Sequence, residues 1–325
     1  MNPFAYQRVD SIGAAFSAIA ARQGARFIAG GTNILDLMKD TVEQPPLLID
    51  INRIGLATIE PHNGGLVIGA LARMSDVARD QRVRSAYPMV SIALEQSASP
   101  QLRNMASIGG NLMQRPRCPY FRDPATPCNK RAPGSGCGAI GGINRMEAVL
   151  GTSPDCIASH PSDLAVALVA LDAVVNIAGP AGMRDVPVRE FFLEPGNTPA
   201  REHAIGAHEL IVGVTLPAVP FAARSTYLKA RDRSQYEFAL ASAAVALDLE
   251  NGRIVDSRVA LGGVGTVPWR APQAEGKLRG AAPSEEAFAA AAEEALSGAA
   301  GHGQNDFKIP LAKRTVIAAL REVSA

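Results

Sequence analysis

The sequence lacks an excess of charge and lacks any long apolar run. Its 32 lysine and arginine residues nearly balance 31 aspartate and glutamate residues, for a net charge of +1. A balanced charge gives no basis for nucleic-acid binding or for attraction to an anionic membrane. No apolar stretch reaches the length of a membrane span, so we expect no membrane insertion. Residues 1–16 have no basic segment followed by an apolar core, which predicts no signal peptide on this chain.

The common catalytic and nucleotide-binding motifs are also missing. The five histidines form no H-x-x-x-H pair, and His160 is predicted to be a surface loop residue. No strand–turn–helix pattern carries G-x-S-x-G, and neither G-x-G-x-x-G after a first strand nor a Walker A sequence is present. A bound dinucleotide would therefore use a fold other than the Rossmann type.

Cysteine is absent from most of the chain. All four cysteines fall within 39 consecutive residues: Cys118, Cys128, Cys137 and Cys156. The gaps of nine, eight and eighteen residues contain no C-x2-C pair, although structural zinc sites usually have such pairs. A four-thiolate iron–sulfur cluster tolerates wide spacing better than a single ion, and Arg115, Arg117, Arg122, Lys130 and Arg131 would offset its negative charge. Spacing alone favours a [4Fe-4S] cluster and leaves zinc, disulfides and free thiols open.

The periodicity of apolar residues predicts a mixed chain in two parts. Helical spacing covers residues 11–22 and 164–171, and short strands are predicted at 25–29, 47–51, 65–68, 173–177 and 210–216. After residue 220, Asn251-Gly252 lies between two strand-like runs, which is typical of a β-hairpin. Two helices, from about residues 284 and 310, end the chain.

Two glycine turns share a pattern suited to phosphate. Gly30-Gly31-Thr32-Asn33 follows a predicted strand, and Ser107-Ile-Gly-Gly-Asn111 repeats the paired glycines beside small polar side chains. Glycine lets backbone N–H groups approach an anion closely. Either turn alone could simply reverse the chain, but two in one domain favour a diphosphate ligand.

These turns carry a specific resemblance. The segments Phe27-Ile-Ala-Gly-Gly-Thr-Asn-Ile34, Ser107-Ile-Gly-Gly-Asn-Leu112 and Ser162-Asp163 resemble the FAD-binding subunits of the xanthine dehydrogenase and molybdenum hydroxylase family. The resemblance covers nearly the whole chain. It is strongest to the aldehyde oxidoreductases whose middle subunit carries an extra [4Fe-4S] cluster on a loop inserted after this second turn.

The resemblance implies an α+β fold in two domains. Residues 1–221 would form a two-subdomain FAD-binding domain of the PCMH type, similar to vanillyl-alcohol oxidase and MurB, with the cysteine loop at about 114–158. Residues 222–325 would form a smaller α+β domain like the C-terminal domain of CO dehydrogenase flavoproteins.

The resemblance also implies the ligands of two cofactors, FAD and a [4Fe-4S] cluster. The cysteines would hold the cluster, Asp163 a polar group of the FAD, and Lys229 the flavin from the second domain. The backbone of Val212 would touch the flavin. The remaining FAD contacts would be Phe27, Ile28, Ala29, Gly30, Gly31, Thr32, Asn33, Ile34, Ser107, Gly110 and Asn111.

The implied function is electron transfer, with no catalytic residue on this chain. A large molybdenum-cofactor subunit would oxidise the substrate, and a small [2Fe-2S] subunit would pass electrons to FAD here, which would deliver them to a final acceptor. Export with a signal-bearing small subunit would place this heterotrimer in the periplasm; otherwise it would be cytoplasmic. The alternatives are a stand-alone flavin reductase with a zinc or iron–sulfur loop, and an iron–sulfur scaffold protein without flavin.

Overall fold

The fold consists of three β-sheets, each covered by helices. The computed structural model describes residues 1–325. The first sheet is parallel, with the strand order β1-β3-β2. The first glycine turn follows its strand β2, with Ala29 between the strand and Gly30. Its elements are β1 (Ala5–Arg8), α1 (Ile12–Ala21), β2 (Arg26–Ile28), α2 (Ile34–Lys39) and β3 (Leu47–Asp50).

The second sheet is a five-stranded antiparallel sheet with the order β4-β5-β8-β6-β7. Its helices include the second glycine turn. They lead into residues 114–158, which form the cysteine loop, also called the cysteine segment. The elements of this part are β4 (Ile59–His62), β5 (Gly65–Gly69), α3 (Met74–Arg79), α4 (Gln81–Ala86), α5 (Pro88–Gln96), α6 (Pro100–Met105), α7 (Ile108–Leu112), α8 (Pro119–Arg122), α9 (Asp163–Ala170), β6 (Val174–Gly179), β7 (Gly182–Pro187), α10 (Val188–Phe191) and β8 (Leu210–Leu216).

The third sheet, with the antiparallel order β12-β11-β10-β9, and three helices form the C-terminal part. Asn251 and Gly252 connect its two longest strands with φ values of +50° and +74°, as the predicted hairpin requires. The elements are β9 (Ser225–Ala230), β10 (Ala241–Glu250), β11 (Arg253–Gly262), β12 (Trp269–Arg270), α11 (Pro272–Leu278), α12 (Glu285–Ala295) and α13 (Lys308–Ser324).

Helix α9 joins the second and third sheets. Ser162 begins it by accepting a hydrogen bond from the Ala165 N–H at 3.0 Å, and every residue of the helix is buried. The same hydrophobic core contains residues of β5 and β8 and also Tyr227 and Ala244 of the third sheet. The two parts of the chain therefore share one core across α9. None of the helices combines the length and the apolar character that a membrane span needs.

A cluster of aromatic rings packs behind the cysteine segment. The His160 ring meets Phe192 edge-on at 4.7 Å, and His203 lies 5.2 Å from Phe191. His160 is partly exposed, so the expectation of a surface loop histidine holds only in part, because its ring packs into this cluster. Burial lowers the pKa of His160 to about 3 and the pKa of His203 to about 4, so both rings are neutral at pH 7.

This burial predicts that acid destabilises the fold. The unfolded chain binds a proton at His203 below its ordinary pKa of about 6.5, whereas the folded chain does so only near 4, so stability is lost as the pH falls through this range. In His203→Phe, the loss of unfolding free energy between pH 7 and pH 5 should shrink by about 2 kcal/mol. Urea denaturation at both pH values measures it. The exposed His62→Phe is the control, and an unchanged pH dependence in His203→Phe would contradict the prediction.

Candidate functional site

The first glycine turn presents a row of free donors. Between β2 and α2, the backbone N–H groups of Gly30, Gly31, Thr32 and Asn33 donate to no acceptor in the protein. Gly31 has a φ of +74°, a conformation that glycine adopts without strain. Consecutive free N–H groups on such a turn form a concave anion site. This turn can therefore bind a diphosphate.

The second glycine turn is packed against the first. A Cβ atom on Gly30 would collide with the carbonyl oxygen of Met105, so only glycine allows this close approach. Ser107 then begins α7, and its hydroxyl accepts a hydrogen bond from the Gly110 N–H at 3.2 Å. Gly109 donates its N–H to the Ala70 carbonyl at 2.8 Å.

Two further predicted residues lie at this junction. The Val212 carbonyl accepts the Ala70 N–H at 3.0 Å, which brings β8 to the second turn. Asn33 accepts the Arg115 N–H through Oδ1 at 3.1 Å, while its Nδ2 is buried with no partner. A buried amide without an acceptor is costly, so a ligand oxygen at this position would stabilise the turn.

Asp163 and Lys229 meet across the boundary between the two parts of the chain. The Lys229 Nζ lies 2.8 Å from Asp163 Oδ2, and its side chain is 1% exposed. The hydroxyl groups of Tyr227 and Ser97 also donate to Asp163, at 2.6 and 3.0 Å. Asp163 follows Ser162, whose hydroxyl donates to Asn111 Oδ1 at 2.6 Å, so this cluster adjoins the second glycine turn.

Sequence reasoning missed Ser97 and Tyr227. Ser97 lies 66 residues before Asp163 in the chain, and Tyr227 lies 64 residues after it. No local pattern links them, although the two-residue period of side chains along β9 places Tyr227 and Lys229 on one face.

The four cysteines line one small cavity. The side chains of Cys118, Cys128 and Cys156 are buried and that of Cys137 is partly exposed, and together they line a cavity of about 10 Å³. None forms a disulfide. No group of three or more histidine, cysteine or acidic residues in the chain converges as the ligands of a single metal ion do.

Burial keeps the thiols of Cys118 and Cys156 protonated when no metal is bound. Burial and the neighbouring Glu147 carboxylate raise the pKa of the Cys118 thiol, and burial raises the pKa of Cys156 to about 11 despite the nearby Lys130. Buried thiols in apolar surroundings are unreactive, and metal ligation would have to displace their protons.

Side chains of the loop hold its irregular backbone in place. Asn129 Oδ1 accepts the N–H groups of Gly134 and Gly136 at 3.1 and 2.8 Å, which shapes the bend between Cys128 and Cys137. Arg131 donates to the Tyr120 carbonyl at 2.6 Å. These bonds fix the cavity without regular secondary structure.

Four of the five basic residues of the loop are already paired with acidic side chains. Their acidic partners are Glu43 and Glu202 for Arg115, Asp36 for Arg117, Asp36 and Asp40 for Arg122, and Glu202 for Lys130. Arg131 donates to backbone carbonyls of the loop instead. Only Lys130 lines the cavity. The expectation that all five offset the charge of a cluster therefore needs correction, because most of them bind the loop to its surroundings.

The end of the cysteine segment is fastened to the C-terminal part. Lys308, at the start of α13, is fully buried and donates to the carbonyls of Met146, Glu147 and Gly263 at 2.9, 2.9 and 2.5 Å. Burial lowers the pKa of Lys308 to about 7, against the attraction of Glu147. The Glu147 carboxylate in turn accepts the Ser159 N–H at 3.2 Å.

Known proteins match this chain over its full length. The family described as the FAD binding domain in molybdopterin dehydrogenase matches residues 2–219, and the CO dehydrogenase flavoprotein C-terminal domain matches residues 225–323. The chain is 47% identical to the aldehyde oxidoreductase FAD-binding subunit PaoB of Escherichia coli, across 100% of this chain and 99% of that protein. The chain belongs to the FAD-binding subunits of the molybdenum hydroxylase family.

More distant members of the family have the same fold. The carbon monoxide dehydrogenase medium chain of Hydrogenophaga pseudoflava is 27% identical over 90% of this chain and 86% of its own. A structure of carbon monoxide dehydrogenase from that organism superposes with a TM-score of 0.77, covering 99% of this chain and 98% of that one at 27% identity. The glyceraldehyde dehydrogenase medium chain of Sulfolobus acidocaldarius is 27% identical over 85% of this chain and 81% of its own.

These matches confirm the predicted α+β fold, the FAD cofactor, the oxidoreductase class and the role as an electron-transfer flavoprotein subunit. The domain boundary at residue 221, the individual FAD contacts and the cysteine ligands stay predictions.

Removing Lys308 should loosen the cysteine segment of this FAD-binding subunit. Lys308→Met leaves the Met146 carbonyl without a donor, and it removes one of two donors from the Glu147 and Gly263 carbonyls. We expect about 3 kcal/mol less unfolding free energy, because these bonds are buried and come from a charged group. In metal-free protein, the cysteines should react about tenfold faster with a thiol reagent, because the segment opens more often. Lys313→Met, on the same helix but in an exposed ion pair with Glu293, is the matched control. Equal effects of the two variants would contradict the prediction.

Proposed function

We propose that this chain is the FAD and iron–sulfur subunit of an aldehyde-oxidising molybdenum hydroxylase. The single observation that carries the aldehyde class is the 47% identity, over the full length of both chains, to a subunit named for aldehyde oxidoreductase. A stand-alone flavin reductase has less support, because the relatives that match nearly the whole chain are named as subunits or medium chains of larger enzymes.

The two glycine turns would hold the FAD diphosphate. Bound FAD exchanges electron pairs and single electrons, which suits it to a relay. The free N–H groups of residues 30–33 would meet the diphosphate charge, and the unpartnered Asn33 Nδ2 would donate to one of its oxygens. The segment 27–34 would form this contact together with Ser107, Gly110 and Asn111.

Asp163, Lys229 and Val212 would position the rest of the FAD. Asp163 is held by three side chains, so it presents a fixed carboxylate next to Asn111. Lys229 reaches it from β9, which supports a contribution of the second domain to the flavin site. The Val212 backbone would contact the flavin at the end where β8 meets Ala70.

The spacing of the four cysteines supports a [4Fe-4S] cluster over zinc. Structural zinc sites usually have a close C-x2-C pair, and this sequence has none. A [4Fe-4S] cluster is held by four cysteine thiolates, and Cys118, Cys128, Cys137 and Cys156 line one cavity. A bound cluster would transfer one electron at a time.

The partners would be a small [2Fe-2S] subunit and a large molybdenum-cofactor subunit, in a heterotrimer. Substrate oxidation would take place on the large subunit, since this chain has no catalytic constellation. The final electron acceptor would bind near the flavin; without a dinucleotide fingerprint in the sequence, oxygen, a quinone or a protein carrier is favoured. We place the complex in the periplasm, exported with its small subunit.

Asn33→Asp should weaken FAD binding strongly. Aspartate keeps the acceptor for the Arg115 N–H but replaces the free Nδ2 donor with a charged oxygen facing the diphosphate. We expect about a hundredfold increase in the FAD dissociation constant, measured by flavin fluorescence titration. Asn63→Asp, in the exposed β4–β5 turn, should leave the affinity unchanged. If both variants bind FAD like wild type, the first glycine turn does not hold the diphosphate.

Cys128→Ser should remove iron and spare flavin. Serine is a poor substitute for a thiolate ligand, while the FAD turns contain no cysteine. Metal analysis of the purified protein should find less than about half of the wild-type iron, with FAD still near one per chain. Wild-type iron content in this variant would contradict the cluster ligation, and loss of FAD as well would mean that the cluster is structural for the flavin site.

A further inference from the structure

The two glycine turns are joined by a polar link that the sequence patterns do not indicate. We propose that Arg73 and Asn52 are positioning residues for FAD, which set the separation of the two turns. This inference rests on the proposed binding of the FAD diphosphate between them.

Arg73 reaches both turns from the start of α3. Its backbone pairs with Ser107 in an isolated antiparallel bridge, so the residue is already part of the second turn. Its guanidinium donates to the Met105 carbonyl at 2.5 Å through one terminal nitrogen and to Asn52 Oδ1 at 2.8 Å through the other. A planar guanidinium can hold two acceptors in a fixed geometry.

Asn52 passes the link on to the first turn. Its Nδ2 donates to the Ala29 carbonyl at 2.9 Å, directly before Gly30. The same amide is held by Asp50, whose Oδ1 accepts the Asn52 Nδ2 and backbone N–H groups at 2.6 and 2.9 Å. Asp50 is buried and also pairs with Arg8 at 2.9 Å, so the anchor of this link is rigid.

The link therefore runs from Asp50 through Asn52 and Arg73 to Met105. It ties the carbonyl before Gly30 to the carbonyl two residues before Ser107. A diphosphate held by both turns would need its donors at a fixed separation, and loss of the link would let the turns move apart when the site is empty. The free energy needed to restore that separation would be taken from the binding free energy of FAD, so FAD would bind more weakly.

Arg73→Met and Asn52→Ala should each weaken FAD binding about tenfold, as expected for the loss of a charged hydrogen bond, and the double variant should be no weaker than either single variant. Arg73→Lys keeps the charge but cannot span two acceptors, so it should resemble Arg73→Met. Recovery of wild-type affinity in Arg73→Lys would overturn the linking role. The affinity is the dissociation constant of FAD for protein stripped of flavin.

Arg82→Met is the matched control, because Arg82 also donates to a backbone carbonyl, that of Ile59 at the start of β4 at 2.7 Å, and makes no bond to either turn. It should bind FAD like wild type. The flavin-free Arg73→Met protein should melt within about 2 °C of flavin-free Arg82→Met, since both lose exposed bonds. A larger drop would mean a general structural role and would overturn the proposal.

Asn33→Asp separates the two ways of failing. If Asn33→Asp weakens FAD binding but Arg73→Met and Asn52→Ala do not, the turns bind FAD without the link, and the proposal is wrong. If all three variants bind normally, the FAD site itself is elsewhere, and the proposal fails with it.

Discussion

The buried carboxylate of Asp163 is the constraint on which the arrangement of the two domains depends. It lies at the start of α9, in a core shared by the second and third sheets, where an unpaired charge would be very unfavourable. Two of its partners, Tyr227 and Lys229, come from β9 of the C-terminal part. Separating the domains would leave the Asp163 carboxylate without its partners Tyr227 and Lys229. The FAD-binding part therefore needs the C-terminal part to satisfy this buried charge.

The cysteine segment has the same dependence on both domains. The resemblance implies that this segment is a loop inserted in the FAD domain, and the segment does begin after the second glycine turn. Its end is held instead by Lys308 and Asn305 of the C-terminal part, which bind the backbone at 146–148. The C-terminal part therefore holds the end of the cysteine segment, while the cavity itself is lined by residues 118–158 alone.

Local signals in the sequence predict much of this fold. Ser11 and Ser162 begin helices at the expected positions, and Asn251-Gly252 forms the expected hairpin. Strand β1 has no such signal, because all four of its residues are exposed and its pairing depends on β3. The glycine turns and the cysteine cluster can be predicted from the sequence, because paired glycines beside small polar residues and four cysteines within 39 residues are unusual local patterns.

The parts of the site that sequence reasoning missed are those set by tertiary contact. Ser97, Tyr227 and Lys308 bind residues more than 60 positions away. Arg73 and Asn52 bind backbone carbonyls 32 and 23 positions away, and such contacts leave no pattern of side chains. The predicted role of the basic residues in the cysteine loop needed correction for a related reason. The basic residues of the cysteine loop were expected to face a cluster, but their acidic partners lie near residues 36–43 and at Glu202.

Metal and flavin analysis of this chain, purified without oxygen, tests the central claim most directly. On this account, the cavity lined by the four cysteines binds a four-iron cluster while the glycine turns bind FAD. It predicts about four irons, one FAD and no zinc per chain, with flavin absorption bands above a broad iron–sulfur shoulder. FAD accompanied by zinc, or FAD with no metal at all, would contradict it.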